Sequence, residues 1–367
     1  MVTTMKKFLD KKNILITGGT GSLGKVLLRR ILSDEMGTPN KIVVFSRDEG
    51  KQHAMRVDYL NAGKKATDEV IYNNFNNQVQ FFIGDVRNEN SISDALQQLE
   101  IDIVIHAAAM KQVPACEYFP EEAALTNVQG AANLVRAIRK HGKNVECLIG
   151  VSTDKACKPI NVMGMTKSLQ ERILTQGSMG LKNTRVLCVR YGNVLASRGS
   201  VIPLFHDQIK KGGPVTITHP DMTRFLLSLD SAVDIIFESM KSGLDGETYI
   251  PQIPTAKVTD IAQVLIGKRD IQIQVTGIRP GEKLHEKLIS EEESRHCYQK
   301  NGYYVIPSIL PEVAGTTPKK NTSIEFTNNE YSSEHNIMSQ TELKALLEKN
   351  NLLLESDIKL ESGEMIA

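Results

Sequence analysis

Residues 13–24 read NILITGGTGSLG, and this stretch decides the fold. An apolar run of β type comes first, a glycine-rich turn follows, and residues 25–32 have the periodicity of an amphipathic helix. Glycines in such a turn let the backbone approach a pyrophosphate at a helix N-terminus, although a tight turn without a ligand would use the same residues. The predicted dinucleotide contacts are Gly18, Gly21, Ser22, Leu23 and Gly24.

Further apolar runs alternate with helical patterns such as residues 121–139. The runs occupy residues 41–45, 79–83, 101–106, 146–152 and 185–190. Continuous apolar strands separated by helices are typical of a parallel sheet that is covered on both faces. We therefore predict an α/β fold, a Rossmann-type doubly wound parallel sheet with a smaller C-terminal substrate-binding lobe.

Composition excludes several classes of protein. The chain has 367 residues, a formal net charge of +1 and 24% charged residues, which gives no electrostatic reason to expect nucleic acid or a membrane surface as a partner. No apolar run approaches the roughly 18 residues that span a bilayer, and residues 1–12 lack a signal-peptide pattern. Five cysteines without a C-x-x-C pair favour a reducing, cytoplasmic setting, and we expect no metal site.

The end of the second strand bears on the choice of cofactor. An acidic residue there would indicate NAD, but this chain has Ser46 and Arg47, with Lys51 nearby. A hydroxyl and a guanidinium suit a 2′-phosphate, so we expect NADP, with NAD as the alternative because Asp48 is close. Asp85 and Val86 after the third strand are predicted contacts of the adenine edge.

The fourth and fifth strands end in further candidates. Ala107, Ala108 and Lys111 follow the fourth strand at the edge where open α/β sheets bind ligands, and His106 is expected to be a buried core histidine. Thr153, Asp154 and Lys155 follow the fifth strand, and Met163 and Lys167 lie one helical turn apart shortly afterwards. An acid beside a base is what elimination of water requires, and Lys167 is positioned to bond the nicotinamide ribose.

Eight stretches together identify a resemblance: ITGGTGSLG, VFSRDEGKQ, FFIGDVRN, HAAAMKQVPACEYFP, STDKACKPINVMGMTK, RYGNVLASRGSVIPLF, DMTRF and RPGEKLHE. They resemble extended short-chain dehydrogenases of the UDP-N-acetylglucosamine 4,6-dehydratase family, in the polysaccharide-biosynthesis branch that carries methionine in place of a tyrosine. The resemblance covers about residues 8–310. It implies a 4,6-dehydratase that produces a UDP-4-keto-6-deoxy-N-acetylhexosamine, and a homo-oligomer, a hexamer in that branch.

The resemblance also implies roles for individual residues. Lys155 looks like the base at sugar C5, Asp154 like the acid at the C6 hydroxyl, and Thr153 like a donor near the C4 oxygen. Residues that match contacts of the UDP portion are Asn193, Ser200, Val201, Arg279, Glu282 and, more weakly, Arg224; Lys111 is a candidate for both cofactor and substrate.

Met163 is the departure from the Tyr-x-x-x-Lys pattern of short-chain dehydrogenases. A tyrosine there would take the proton of the C4 hydroxyl, and methionine cannot do so. Lys155, a water held by Asp154, or Cys116 as a thiolate beside Lys111 could replace it, with a buried structural role as the other interpretation of Cys116. The alternatives to a dehydratase are a UDP-hexose 4-epimerase and a cofactor-binding regulator with an inactive site.

Three regions are predicted along the chain. Residues 1–195 form the NADP-binding Rossmann domain, and residues 196–315 form mainly a substrate-binding lobe that is interleaved with the sheet. Residues 316–367 form a polar arm and a leucine-rich helix over 343–354, and we expect this region to contact other copies of the chain. Ser339 and Glu342 have the spacing of a capping box ahead of that helix.

Overall fold

The computed structural model describes residues 7–62, 69–195, 200–314, 324–325 and 329–354. The strands in chain order are β1 (Asn13–Thr17), β2 (Lys41–Ser46), β3 (Val79–Ile83), β4 (Ile103–His106), β5 (Cys147–Val151), β6 (Arg185–Val189), β7 (Asn193–Val194), β8 (Val215–Ile217), β9 (Thr223–Leu227), β10 (Thr248–Pro251), β11 (Thr255–Lys257), β12 (Ile273–Val275), β13 (Lys287–Ile289), β14 (Tyr298–Lys300), β15 (Tyr303–Ile306), β16 (Ile324–Glu325) and β17 (Tyr331–Ser332).

The helices alternate with the strands in the first half of the chain. They are α1 (Ser22–Leu32), α2 (Glu49–Ala62), α3 (Glu69–Gln78), α4 (Glu89–Leu99), α5 (Val113–Tyr118), α6 (Pro120–Ala123), α7 (Gly130–His141), α8 (Val162–Gly177), α9 (Val201–Lys210), α10 (Leu229–Ser242), α11 (Val258–Ile266), α12 (Glu291–Ser294), α13 (Pro311–Ala314) and α14 (Gln340–Lys349). A π-helical turn at Ala124–Gln129 joins α6 to α7, and Asp154–Ala156 is a 3₁₀ turn.

Ten of the described strands form one sheet in the order β16-β14-β15-β10-β6-β5-β4-β1-β2-β3. From β3 to β10 all neighbours are parallel, and β15 and β14 then add antiparallel strands. The order β3-β2-β1-β4-β5-β6 is that of dinucleotide-binding folds, so the predicted fold class is confirmed. The predicted bounds of β1 and β3 equal the observed ones, and those of β2, β4, β5 and β6 differ by one or two residues at an end.

The sheet is buried on both faces, which explains why its strands are apolar throughout. Successive side chains of a strand point to opposite faces. Accordingly, Ile14 and Ile16 pack in one core cluster with residues of α1 and α10. Leu15 belongs to a second cluster with residues of α4 and α7. The carboxyl ends of β1 and β4, where the strand order reverses, are therefore left as the open edge of the sheet.

The chain beyond residue 195 both extends the main sheet and builds a separate small core. The main sheet continues from β6 through β10 and β15 to β14. The strands β8, β9, β11 and β12 belong to smaller sheets. The small core contains residues of α9 and α11 and is closed by Leu343 and Leu347 of α14. This arrangement places the loops around β7, β9 and β13 against the open edge of the main sheet.

Part of the predicted C-terminal arm lies outside the described residues, namely 316–323, 326–328 and 355–367. In the described part, β17 pairs with β13, and the predicted capping box of Ser339 and Glu342 is present at the start of α14. That helix ends at Lys349, before the predicted end. Contacts with other copies of the chain stay a prediction. Among the helices that the structure describes, none has the length and apolar character to cross a bilayer.

Candidate active site

The glycine turn after β1 has the predicted strand–turn–helix setting, and its geometry explains the glycines. Gly18 has φ +68°, and a Cβ there would lie 2.7 Å from the backbone nitrogen of Ala108. A Cβ on Gly24 would lie 2.3 Å from the carbonyl oxygen of Gly19. The turn is thus pressed against the end of β4 on one side and against its own helix on the other. The first-turn amides of α1 lack partners within the helix and face the cavity next to it.

A cavity of about 750 Å³ extends from this turn along the carboxyl ends of the strands to the small lobe. Most of the residues that the sequence singled out line it: Gly18, Gly21, Ser22, Leu23, Gly24, Ser46, Arg47, Asp85, Val86, Ala107, Ala108, Lys111, Thr153, Asp154, Lys155, Met163, Lys167, Asn193, Ser200, Arg224, Arg279 and Glu282. Two predicted residues, Cys116 and Val201, are not among the lining residues. The volume suits a dinucleotide together with part of a second ligand.

The end of β2 presents one exposed cation to this cavity. Arg47 is exposed, and the neighbouring Asp48 pairs with Lys51 at 2.8 Å, which lowers the pKa of that carboxyl. The Ser46 hydroxyl accepts a hydrogen bond from Gln52 at 3.1 Å and keeps its own proton to donate. Arg47 and Ser46 are thus residues that could hold a phosphate group. Asp85 accepts hydrogen bonds from Arg87. Burial alone would raise the pKa of Asp85, but the hydrogen bonds and the charge of Arg87 outweigh burial and lower it.

Lys167 lies deep in the cavity on α8. Its ammonium group donates to the carbonyl oxygen of Val151 at 2.5 Å and to Oε1 of Gln170 at 2.8 Å. Burial lowers its pKa to about 8. His106 is fully buried, contacts the Thr17 hydroxyl at 2.8 Å and has its pKa lowered to about 3 by burial, so it is a neutral core histidine, as expected.

Lys155 contacts two acidic side chains, those of Asp154 and Glu286. The Lys155 Nζ lies 3.1 Å from Oδ1 of Asp154 and 3.1 Å from Oε1 of Glu286. The side chains of the two acids are 1% and 2% exposed, respectively, and Thr153 donates a hydrogen bond to Asp154 at 2.8 Å. Burial raises the pKa of Asp154, while the charges of both acids outweigh burial and raise the pKa of Lys155.

Glu286 was missed at the level of sequence. Glu286 is the last residue of the stretch RPGEKLHE, in which only Arg279 and Glu282 are predicted to contact the substrate. The signal that could have found it is its position directly before β13, a strand whose start reaches the Asp154 turn.

The structure argues against the thiolate role that was considered for Cys116. This cysteine is fully buried with Ala123 and Met163, and its Sγ donates to the carbonyl oxygen of Met110 at 3.8 Å. Burial, and then the charge of Glu117, raise the pKa of Cys116 to about 11, so a neutral thiol is favoured near neutral pH. Cys116 lies in the short helix α5 rather than in a loop, and Met163 of α8 and Ala123 of α6 pack against it.

The small lobe contributes polar groups to the far end of the cavity. Arg224 donates to the carbonyl oxygens of Thr223 and Leu284 and lies 3.6 Å from Glu282. The Glu282 carboxylate accepts from the backbone amide of Arg279 at 3.2 Å. Val201 begins α9 and is half-buried outside the lining.

Several buried polar atoms along the cavity have no hydrogen-bond partner within the described residues. They are the hydroxyl oxygens of Ser152 and Ser200, Oδ2 of Asp154, Oδ1 of Asn193 and Oε2 of Glu286. A buried polar group without a partner costs about 1–3 kcal/mol, so these atoms favour a polar ligand. Together with the glycine turn and Lys167, they make the residues present a good fit for a nicotinamide dinucleotide and a polar second ligand.

This fold and cavity are those of a Rossmann-type dinucleotide-binding fold. Among solved structures, the chain is similar to Pen from Bacillus thuringiensis, with 34% identity and a TM-score of 0.81, over 94% of this chain and 99% of that one. The chain belongs to the family of polysaccharide biosynthesis proteins, which it matches over residues 14–308.

Two other comparisons bear on the class. The chain is 44% identical over 307 residues, 82% of this chain and 84% of its relative, to a protein of Rickettsia bellii named UDP-glucose 4-epimerase. It shares its fold with DesIV, a dTDP-glucose 4,6-dehydratase from Streptomyces venezuelae that was crystallised with NAD, at a TM-score of 0.62 and 18% identity over 74% of this chain and 86% of that one. Relatives and neighbours thus include both epimerases and dehydratases.

Proposed function

We propose that this protein is an NADP-dependent 4,6-dehydratase that converts UDP-N-acetylglucosamine to a UDP-4-keto-6-deoxy-N-acetylhexosamine for a surface polysaccharide or glycan. The observation that carries the proposal is the buried Asp154–Lys155 pair at the carboxyl end of β5, inside the cavity that also contains the glycine turn. An acid and a base in contact supply what the loss of water across C5 and C6 requires.

The cofactor end of the site uses the glycine turn and Lys167. When bound, a nicotinamide dinucleotide would accept a hydride from sugar C4 and return it to C6, so that the net change is the loss of one water. The amides of α1 would hold the pyrophosphate, and Arg47 with Ser46 would hold the 2′-phosphate that distinguishes NADP from NAD. Lys167, which donates to the carbonyl oxygen of Val151, would hold the nicotinamide ribose.

Asp154 and Lys155 divide the proton transfers between them. The C4 ketone makes the C5 proton acidic, and Lys155 removes it. Asp154, whose pKa burial raises, gives its proton to the C6 hydroxyl, and the C6–O bond breaks to release water. Lys155 carries a proton beside Asp154 and Glu286, so it acts as the base only after it has passed that proton to water in the cavity that it lines. A proton from the site returns to C5 when the hydride reaches C6.

Met163 leaves the C4 hydroxyl without a tyrosine as its base. Its side chain is 5% exposed and packs against Cys116, whose raised pKa removes it from the candidates. Lys155 and a water held by Asp154 remain. Oδ2 of Asp154 has no hydrogen-bond partner within the described residues, so a water can be held there.

The second candidate function is a UDP-hexose 4-epimerase, which the name of the Rickettsia bellii relative favours. An epimerase on this fold would return the hydride to C4 and would need no elimination of water. Its site would have no use for an acid–base pair beyond the C4 oxygen, which is why the Asp154–Lys155 pair weighs against it.

One experiment separates the two functions. The purified protein is incubated with UDP-N-acetylglucosamine in deuterated water, without added cofactor, and the product is analysed by NMR. A dehydratase gives a C6 methyl group and solvent deuterium at C5, whereas an epimerase gives a C4 epimer without deuterium at C5. The Lys155→Ala variant should lose about 10²–10⁴-fold in turnover while it still binds UDP. A C4 epimer from the wild-type protein would refute the proposal.

A further inference from the structure

Glu286 lies where two elements of the small lobe meet the Asp154 turn. Its backbone amide donates to the Ser333 hydroxyl at 2.9 Å, and the Ser333 amide donates back to its carbonyl oxygen at 2.8 Å. Its side chain, 2% exposed, reaches Lys155 at 3.1 Å, and Lys283 lies 4.0 Å away on the other side. The position of this carboxylate is thus determined by the backbone on one side and by cations on the other.

The charges around Lys155 come from four residues in three elements. They are Asp154 of its own turn, Glu286 and Lys283 from the segment before β13, and Arg224 of β9. The Lys155 ammonium group thus faces two buried carboxyl groups, and the further cations Arg224 and Lys283 act on one of them, Glu286. Two like charges at such a site disfavour each other, so one acid tends to keep its proton.

Glu286 is the acid that the surrounding charges stabilise as an anion. Burial raises its pKa, but Lys155, Arg224 and Lys283 outweigh burial and bring it below the ordinary value. Asp154 has Lys155 as its cation and a hydroxyl donor in Thr153, and burial keeps its pKa raised, with the charge of Glu286 acting in the same direction. The negative charge therefore belongs on Glu286 and the proton on Asp154.

We propose that Glu286 is a positioning residue: its buried carboxylate holds the ammonium group of Lys155 and supplies the countercharge, which leaves the Asp154 carboxyl neutral and able to give a proton to the substrate. The role of Asp154 as acid rests on the proposed dehydratase function. The distribution of charge among the three groups does not, so it can be tested without any substrate.

The direct test follows the Asp154 carboxyl by NMR in protein labelled with ¹³C at the aspartate carboxyl carbon, the signal being assigned by its loss in Asp154→Asn. In the wild-type protein we expect the chemical shift of a neutral carboxyl well above the pH range where ordinary aspartates ionise. In Glu286→Gln, Asp154 becomes the sole counterion of Lys155, and its midpoint should fall by about one pH unit or more. Identical titration of Asp154 in the two proteins would overturn the proposal.

Turnover provides the second readout. Glu286→Gln should lower kcat about 10²-fold with a small change in KM, and its remaining activity should rise as the pH falls, because Asp154 then regains its proton. Glu286→Asp keeps the negative charge and should keep Asp154 neutral and most of the turnover. If Glu286→Gln does not fold, the Asp variant decides alone: an ionised Asp154 there contradicts the proposal.

Glu293→Gln is the matched control. Glu293 also belongs to a buried ion pair, with Arg190 at 2.9 Å, and its loss should lower stability without moving the titration of Asp154 or the pH profile. If the titration midpoint of Asp154 shifts as much in this control as in Glu286→Gln, general loosening of the lobe is responsible and the proposal is refuted. A wild-type product with an intact C6 hydroxyl would instead refute the dehydratase function. The titration of Asp154 would then still test whether Glu286 supplies the countercharge of Lys155.

Discussion

Replacing Lys155 by methionine should make the stability of this protein depend on pH in a defined direction. Methionine keeps most of the volume but removes the ammonium group that lies 3.1 Å from both Asp154 and Glu286. Breaking a buried ion pair by removing one partner costs about 3–5 kcal/mol when the remaining charge stays ionised. Arg224 and Lys283 stay near Glu286, so we expect the lower end of that range.

The remaining carboxylate can reduce this cost by taking up a proton. Without Lys155, burial should hold the folded-state pKa of Glu286 above its value in the unfolded chain. A carboxyl of this kind stabilises the fold fully below its unfolded pKa and loses that contribution as the pH rises through its folded pKa. The deficit of the variant relative to wild type should therefore grow from acid to alkaline pH, by about 1.4 kcal/mol per pH unit for one proton.

The assay is urea unfolding of both proteins at about pH 5.5 and about pH 8, at one protein concentration because an oligomer would make the midpoint concentration-dependent. Lys158→Met is the control: this lysine is 39% exposed and lies 3.5 Å from Glu291, so its loss should cost less than about 1 kcal/mol at either pH. A deficit for Lys155→Met that is the same at both pH values would refute the assignment of a buried, proton-accepting carboxyl pair at this site.

Three further outcomes follow from the site. Arg47→Asp should weaken NADP binding roughly tenfold or more relative to NAD binding, because a charge-assisted hydrogen bond to a phosphate contributes about 1.5–3 kcal/mol. Titration calorimetry measures both affinities, and equal effects on the two cofactors would count against NADP. Met163→Tyr should have lower or unchanged activity, because a phenol must fit beside Cys116 and find a partner for its hydroxyl, whereas Met163→Leu should keep most of the activity. A gain of roughly tenfold in kcat with tyrosine would show that Met163 does more than fill space in the site. Gly24→Ala should give little folded protein in thermal unfolding, since the new Cβ would meet the Gly19 carbonyl oxygen at 2.3 Å; wild-type stability would mean that the turn can widen.

Local patterns were enough to predict the glycine turn and six of the ten described strands of the main sheet, β1 to β6. A buried parallel strand needs apolar residues on both faces, so β1, β2 and β5 can be recognised from a few consecutive residues. The turn needs glycine at Gly18 because its backbone touches Ala108, and that requirement is visible as a short motif. The carboxyl ends of such strands meet at one edge of the sheet, which is why most candidates from separate strands line one cavity.

Contacts between residues far apart in the chain were decided by the tertiary structure. Glu286 meets Lys155 only because β13, which pairs with β17, packs against the Asp154 turn, and no local pattern marks one glutamate of RPGEKLHE above the other. Cys116 follows β4 as the candidate base would, yet α8 buries it beside Met163. Sequence shows which side chains can carry a charge or a proton. Burial and neighbouring charges, which depend on the whole fold, decide which of them hold it.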